Sequence, residues 1–499
     1  MNINQTNQSK LVQDDQLTLE TYKATGFNAA KDATDKLSYT SARVMKPVYN
    51  AYSKSDFIVA GCCSSASQYD DRLDGNKDVS RAGRGYDFTL VKPDAYDKIT
   101  VAEVGILGDT GKRAVEIIEA ANQFGVTLKW SPTFTDSYGS VLTGRNVGFK
   151  NSVDDARNHY DQASAQGVLG GLRLMKEKNP NLILSIVVGG WSMSQAFHYM
   201  AMDANNRAAF IDGIMDIYSR FEMLNHLDLS WDYPSSQGDR ANTYDDCDSA
   251  NFILLISELR KKFDSKKRSD VVINIKLPSR VDYLKKIDVQ GLIKAGVHGL
   301  YVESFHFFGS GYSESLIHQT NLNKYMGSSY SIEEAVEHLL SLDIPAKQIF
   351  IGYAGFGRAA AGATIEKVSP LSGSYDKNAN PIGMFEVGVI EYADMMYNFM
   401  DFENQTGRNG YILYTDTVAD ADFLYNPTTK VFISFDTPRS VRSKAEYVKT
   451  NGLGGLFTHA IDQGRGLLVN AAREGFGCQT DYNRVIDMTS LYLQGKDTL

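Results

Sequence analysis

Eight short apolar runs, separated by stretches of helical length, constrain this chain more than any other feature. They are Phe57–Gly61, Ile99–Leu107, Leu182–Gly190, Leu227–Trp231, Val271–Lys276, Gly299–Val302, Ile349–Tyr353 and Gly454–Phe457. Apolar runs alternating with amphipathic segments mark a parallel sheet wrapped by helices. Eight such units are the number that closes a (β/α)8 TIM barrel. Helices are expected over Arg207–Phe221, Asn251–Phe263 and Ile332–Leu342, the last opened by a capping box of Ser331 and Glu334.

The spacing of the runs divides the 499 residues into one enlarged barrel rather than several independent domains. Residues 1–50 lack a sustained apolar period and read as a polar arm. Residues 51–357 carry barrel strands one to seven. The next hundred residues are too long for one helix and contain Gly410-Tyr-Ile-Leu-Tyr-Thr415, so 358–430 is assigned to a small α+β insertion. Residues 431–475 end the barrel with strand eight, and 476–499 form a C-terminal tail. The long polar stretch from Gly108 to Asn181 predicts elaborated loops beside an active-site rim.

Composition removes several classes of function. Fifty-one Lys and Arg against 60 Asp and Glu leave a net charge of −9, a poor match for a phosphate backbone, so no nucleic-acid partner is expected. The densest basic stretch, Arg260–Arg268, reads as a solvated helix end. No apolar run approaches the roughly 20 residues that span a bilayer, so membrane insertion is not expected. Residues 1–20 lack the layout of a secretory signal, which implies synthesis in the cytoplasm. Four cysteines (Cys62, Cys63, Cys247 and Cys478) are too few and too scattered for a disulfide framework or a zinc site. No cofactor and no resident metal are expected, and a lone Gly-x-Gly within 82–86 has no helix pattern after it.

The richest chemistry lies in Leu224-Asn-His-Leu-Asp-Leu-Ser-Trp-Asp-Tyr-Pro234. Alternation puts His226, Asp228, Ser230 and Asp232 on one face and Leu227, Leu229 and Trp231 on the other. In a barrel the first set points inward and Asp232 lies at the catalytic end of the strand. Asp232 and Asp228 then form a candidate acid and its tuning partner. The competing reading is a buried polar ladder.

This segment resembles the signature strand of glycoside hydrolase family 18, the chitinases, which reads D-G-x-D-x-D-x-E followed by Tyr-Pro. Leu169-Gly-Gly-Leu-Arg173, Leu182–Ser192, Ile351–Arg358, Phe432–Asp436, Ser440–Val448 and Gly452–Phe457 resemble further elements of the family in order. The match covers roughly residues 55–475. Phe57–Gly61, Tyr69–Leu73, Ala82–Tyr86 and the long connection after the second strand are similar to chitinase-like subunits of bacterial insecticidal toxin complexes. That resemblance implies large toxin-complex subunits as partners, release from the cell with the complex, and chitin or other N-acetylglucosamine-containing glycans as ligands.

The resemblance also implies a substrate-assisted reaction, in which the sugar's N-acetyl group attacks and the motif Glu protonates the leaving oxygen. Nearly every position for that chemistry has changed. Aligned on Tyr233-Pro234, the motif Glu is Asp232, the Asp before it is Ser230, and Asp228 alone is retained. The family's Met-x-Tyr-Asp falls on Glu303-Ser-Phe-His306, so its Tyr is Phe305 and its Asp is His306. The floor Trp of strand eight falls on His459. Shortening Glu by a methylene displaces the acid by ~1 Å, which can cost on the order of 10²-fold. Loss of an electrostatic donor costs roughly 10²–10³-fold.

The expectation is a barrel with little or no hydrolysis, serving as a structural or carbohydrate-binding component. Trp191, Ser230, Phe305, His306 and His459 are its candidate sugar contacts. The alternative is a slow endochitinase with Asp232 as general acid and Asp228 as its support. A divalent metal held by His226, His306 and His459 with Asp228, Asp232 and Glu303 is disfavoured, because a His in a disused pocket serves as neutral filling. Trp130, Phe134, Phe307 and Phe308 read as packing or as sugar platforms.

Overall fold

All eight apolar runs are parallel strands of one closed barrel in the computed structural model, which describes residues 47–69, 84–309, 313–383, 386–401, 404, 406–480 and 484–499. We label them β1 (Ile58–Ser64), β2 (Lys98–Ile106), β3 (Ile183–Gly189), β4 (His226–Ser230), β5 (Val272–Pro278), β6 (Val297–Glu303), β7 (Ile349–Ala354) and β8 (Gly455–His459). Each pairs in parallel with the next, and β8 pairs with β1 from Ile58↔Gly455 to Cys62↔His459, which leaves no open edge.

The period-two reading of β4 holds residue by residue. Leu227, Leu229 and Trp231 are buried outside the barrel, where Trp231 stacks on Phe197 with ring centres 5.4 Å apart. Asp228 turns inward and meets side chains of β2 and β5 across the lumen. The expected helices are observed as Ala204–Arg220, Asp248–Ser265 and Ile332–Ser341. Ser331 accepts from the Glu334 amide at 3.1 Å, one arm of the expected box. A reciprocal capping box forms instead at Thr437 and Ser440, ahead of Pro438–Thr450.

Between β7 and β8 the chain builds a five-stranded antiparallel sheet. Its order is Val389–Glu391, Phe356–Ala360, Val431–Phe435, Ala421–Asn426, Ile412–Asp416. The sheet uses both Phe356–Ala360 and Val431–Phe435, paired as Phe432↔Ala360, so it runs wider than 358–430 at each end. Phe356–Ala360 follows β7 with only Gly355 between them, which hid the change of sheet at that end.

Most of the polar arm expected over 1–50, residues 1–46, lies outside the described residues, as do parts of the Tyr69–Leu73 and Ala82–Tyr86 segments. Val48, Tyr49 and Asn50 are buried rather than arm-like. Asn50 accepts from the Val485 and Ile486 amides and donates to the Ile486 carbonyl, drawing the C-terminal segment onto the barrel. No helix among the described residues is long and apolar enough to cross a membrane.

Gly189 ends β3 with φ +94°, and a Cβ there would stand 2.4 Å from the Ser230 carbonyl oxygen. The close approach sets the rim of β3 against that of β4. Gly189→Ala is therefore expected to cost about 1–3 kcal/mol in urea unfolding, through both the backbone angle and the clash. A loss below about 0.5 kcal/mol would show that the rim adjusts freely.

Candidate active site

The C-terminal ends of the barrel strands enclose a cavity of ≈ 410 Å³. Asp228, Ser230, Phe305, His306, His459 and Trp191 all line it, so the structure brings most of the sequence-derived candidates together. Trp191 is 50% exposed at the mouth, with its ring 6.4 Å from that of Tyr233. Phe305 stacks with His459 at 6.2 Å. The remaining aromatics divide: Phe134, Phe307 and Phe308 are buried packing, whereas half-buried Trp130 lines a separate surface depression with Tyr199 and Met202.

Asp232 stands one layer back from the cavity lining. Its residue is 1% exposed. Its Oδ2 takes a 2.6 Å ion pair from Lys276 Nζ, and the Ser230 hydroxyl lies 3.3 Å from Oδ1. Lys276 comes from β5 and also reaches Glu303 Oε1 at 3.1 Å. Tyr233 donates to the other Glu303 oxygen at 3.0 Å. One ammonium therefore clamps two carboxylates from the neighbouring strand ends. Burial pushes the Asp232 carboxyl up to about 6, opposed by Lys276 and reinforced by Glu303. Lys276 is held above its ordinary value: burial opposes that rise, and Asp232 and Glu303 outweigh it.

Asp228 does not hydrogen-bond Asp232. It accepts from Lys98 Nζ at 2.6 Å, Thr100 at 2.8 Å and Asn274 at 2.7 Å. Lys98 also reaches the Tyr301 hydroxyl at 3.0 Å. Burial would raise the Asp228 carboxyl, but the Lys98 charge overcomes it and holds the group below its ordinary value. The expected acid and tuning partner are thus two separate ion-pair systems. Asp228 supports the lumen, and burial, opposed by Lys276, sets the state of Asp232.

The three histidines are neutral near pH 7. Burial, with Lys98 adding to it, brings His226 down to about 3. Burial together with Arg358 takes His306 well below its ordinary value, and Arg358 Nη2 lies 2.7 Å from His306 Nδ1. Burial likewise lowers His459. Among the described residues no three His, Cys, Asp or Glu side chains come together as a metal-binding group.

Sequence reasoning missed Lys276 and Lys98 as site residues. The signal was available, because alternation along β5 sets Val272, Asn274 and Lys276 on one face, and Asn274 reaches inward to Asp228. A lysine at the inward end of an apolar strand has few partners other than a carboxylate.

The raised Asp232 carboxyl has a measurable consequence. Between about pH 4 and about pH 6 the folded state holds a proton there that the unfolded chain has released, so the Asp232 contribution to stability falls as pH rises through that window. Asp232→Asn is expected to gain on the wild type by up to about 3 kcal/mol across it, read from denaturant midpoints at each pH. A difference that stays flat would remove the assignment.

A closed eight-stranded parallel barrel with titratable side chains gathered at the C-terminal ends of its strands is a TIM barrel with its candidate site where that fold places one. The model of Glycosyl hydrolases family 18 matches residues 128–464, and the chain belongs to that family. It is 38% identical to Chitinase 1 of Yersinia entomophaga over 96% of this chain and 91% of that protein, and 37% identical to Chitinase 2 of the same organism over 98% and 82%. The crystal structure of the chitinase Chi1, fitted into the three-dimensional structure of the Yersinia entomophaga toxin complex, superposes with a TM-score of 0.87 over 95% of each chain at 38% identity. The group IV chitinase of Ostrinia furnacalis in complex with allosamidin shares the fold at 19% identity, with a TM-score of 0.64 over 84% of this chain and 99% of that one. This is a chitinase-like family 18 protein related to the Yersinia entomophaga toxin-complex chitinases.

Proposed function

We propose that this chain is a chitinase-like subunit of a toxin complex, carrying its barrel as a structural or carbohydrate-binding component with little or no hydrolysis. The observation that carries this reading is the Lys276 clamp. A general acid must hold a proton and aim it at the leaving oxygen, whereas Asp232 is buried behind the lining and ion-paired at 2.6 Å. With its carboxyl at about 6, the group is mostly ionised at neutral pH. The likeness to Chi1 over 95% of both chains supports large toxin subunits as partners and release from the cell with them. N-acetylglucosamine polymers are the ligand class that family membership favours, contacted through Trp191, Ser230, Phe305, His306 and His459.

A second reading, slow hydrolysis with Asp232 as acid and Asp228 as its support, draws on the same raised carboxyl. A group near 6 is protonated in mild acid and is then a competent donor. Hydrolysis of a chitotriose reporter from about pH 5 to about pH 8 separates the two. Wild type matching Asp232→Ala throughout supports the first. A wild-type excess that rises on acidification establishes the second and overturns the first.

A further inference from the structure

His306 stands where the barrel rim meets the antiparallel sheet, and its two ring nitrogens face different surroundings. Nδ1 lies 2.7 Å from Arg358 Nη2. A guanidinium carries N–H donors and no acceptor, so at this contact Nδ1 accepts. An imidazole nitrogen that accepts holds no proton, and in the neutral ring the proton then sits on the other nitrogen. Nε2 is therefore an N–H donor. Burial, with the Arg358 charge adding to it, disfavours the doubly protonated ring that would break this arrangement.

Packing fixes which edge of the ring meets the guanidinium. The imidazole lies tilted on Phe356 with ring centres 4.8 Å apart, and edge-to-face against Phe305 at 5.3 Å. His306 takes a left-handed backbone turn with φ +66°. Buried Gln319 secures that turn: its carbonyl accepts from the Phe307 amide at 3.0 Å, and its Nε2 donates to the Phe356 carbonyl at 2.9 Å. Arg358 is interior to Phe356–Ala360, opposite Val389 and Ser434, so a sheet and not a loop presents it. The Nε2 edge is left open. It makes no hydrogen bond among the described residues and is not one of their buried polar atoms, and His306 lines the cavity.

We propose that His306 selects an acceptor oxygen of the bound sugar by donating from Nε2, and that Arg358 is its positioning residue, setting the tautomer from the antiparallel sheet. This role rests on the sugar-binding reading above and names the ligand group that the site selects. The family's Asp at this position accepts when ionised, so the polarity here is reversed. The adjacent Phe305 ring has no polar atom, which leaves the His306 N–H as the donor of this segment. A sugar hydroxyl can accept or donate, whereas an acetamido carbonyl only accepts. The carbonyl is therefore the group that a fixed donor discriminates.

Asn and Gln separate the two nitrogens, because an Asn amide reaches about as far as Nδ1 and a Gln amide about as far as Nε2. In calorimetric titration of the full-length protein with N-acetylglucosamine tetramer, His306→Asn keeps an acceptor for Arg358, loses the donor to the sugar, and is expected to bind about tenfold more weakly. His306→Gln keeps the donor and should stay within about threefold of the wild type. Heteronuclear NMR of the imidazole nitrogens should show a single His306 tautomer protonated at Nε2, with that signal moving when the tetramer is added. Arg358→Met should admit the Nδ1-protonated form, which a loss of stability alone would not do. The wild-type ring spectrum decides the matter even where a variant fails to fold. A wild-type ring protonated at Nδ1, or His306→Asn binding as tightly as the wild type, overturns the proposal and leaves sugar binding standing. A single Nε2-protonated form persisting in Arg358→Met overturns the role of Arg358. A wild type that binds no tetramer removes both the proposal and the sugar-binding reading.

Discussion

Chitin-oligosaccharide hydrolysis is expected to rise by at least about 10²-fold when Ser230→Asp, Asp232→Glu and Phe305→Tyr are combined with Lys276→Ala. The first three substitutions restore the family pattern at the acid, the charge beside it and the hydroxyl donor. They are insufficient alone, because a longer carboxylate at position 232 still meets an ammonium on β5. Lys276 would hold that carboxylate ionised, as it now opposes the rise of Asp232. With Lys276 removed, Glu303 remains beside the new acid, and like charge raises its pKa toward the range where it keeps a proton. The triple variant should therefore gain much less than the quadruple one. The effects belong to one unit and will not multiply cleanly. A wild type that matches the quadruple variant on a chitotriose reporter would overturn the reading of a disabled acid.

The barrel was legible because its signal is redundant. Eight runs each specify a buried parallel strand, and an error in one leaves the count intact. The site was legible at β4 for a similar reason: alternation fixed the inward face of His226, Asp228, Ser230 and Asp232 before any partner was known. What alternation does not encode is which inward side chains meet. Lys98 and Asp228 are 130 residues apart and join through the lumen between β2 and β4. Lys276 and Asp232 join through adjacent strand ends. The expected Asp228–Asp232 pairing followed sequence proximity, whereas each carboxylate took the cation that the barrel brought to it. The N-terminal edge of the antiparallel sheet was obscured because Phe356–Ala360 follows β7 with only Gly355 between them. Contact between Arg358 of that sheet and His306 of the barrel rim had no local signal at all.

Lys98→Met is expected to destabilise the fold by about 3–5 kcal/mol at neutral pH, because it leaves a buried carboxylate without its counter-charge. Lys98 is 1% exposed, and its ammonium reaches both Asp228 and the Tyr301 hydroxyl, so water at the 13% exposed Asp228 side chain replaces its charge only in part. The double variant Lys98→Met, Asp228→Leu should cost no more than Lys98→Met alone, since it removes the stranded charge and leaves only the Thr100 and Asn274 partners to resatisfy. Acid pH separates this mechanism from simple loss of packing. In the wild type Asp228 is depressed, so its contribution is present above the unfolded value near 4 and is lost as pH falls through and below it. In Lys98→Met burial is opposed chiefly by the Thr100 and Asn274 hydrogen bonds, the carboxyl is expected to rise, and the variant recovers stability as it takes up a proton. The gap between wild type and variant must therefore narrow from about pH 7 to about pH 4, measured by guanidinium unfolding at each pH. A gap that widens on acidification, or one below about 1 kcal/mol at neutral pH, would show that the Lys98–Asp228 pair is a spectator in the lumen rather than the charge that allows a carboxylate to be buried there.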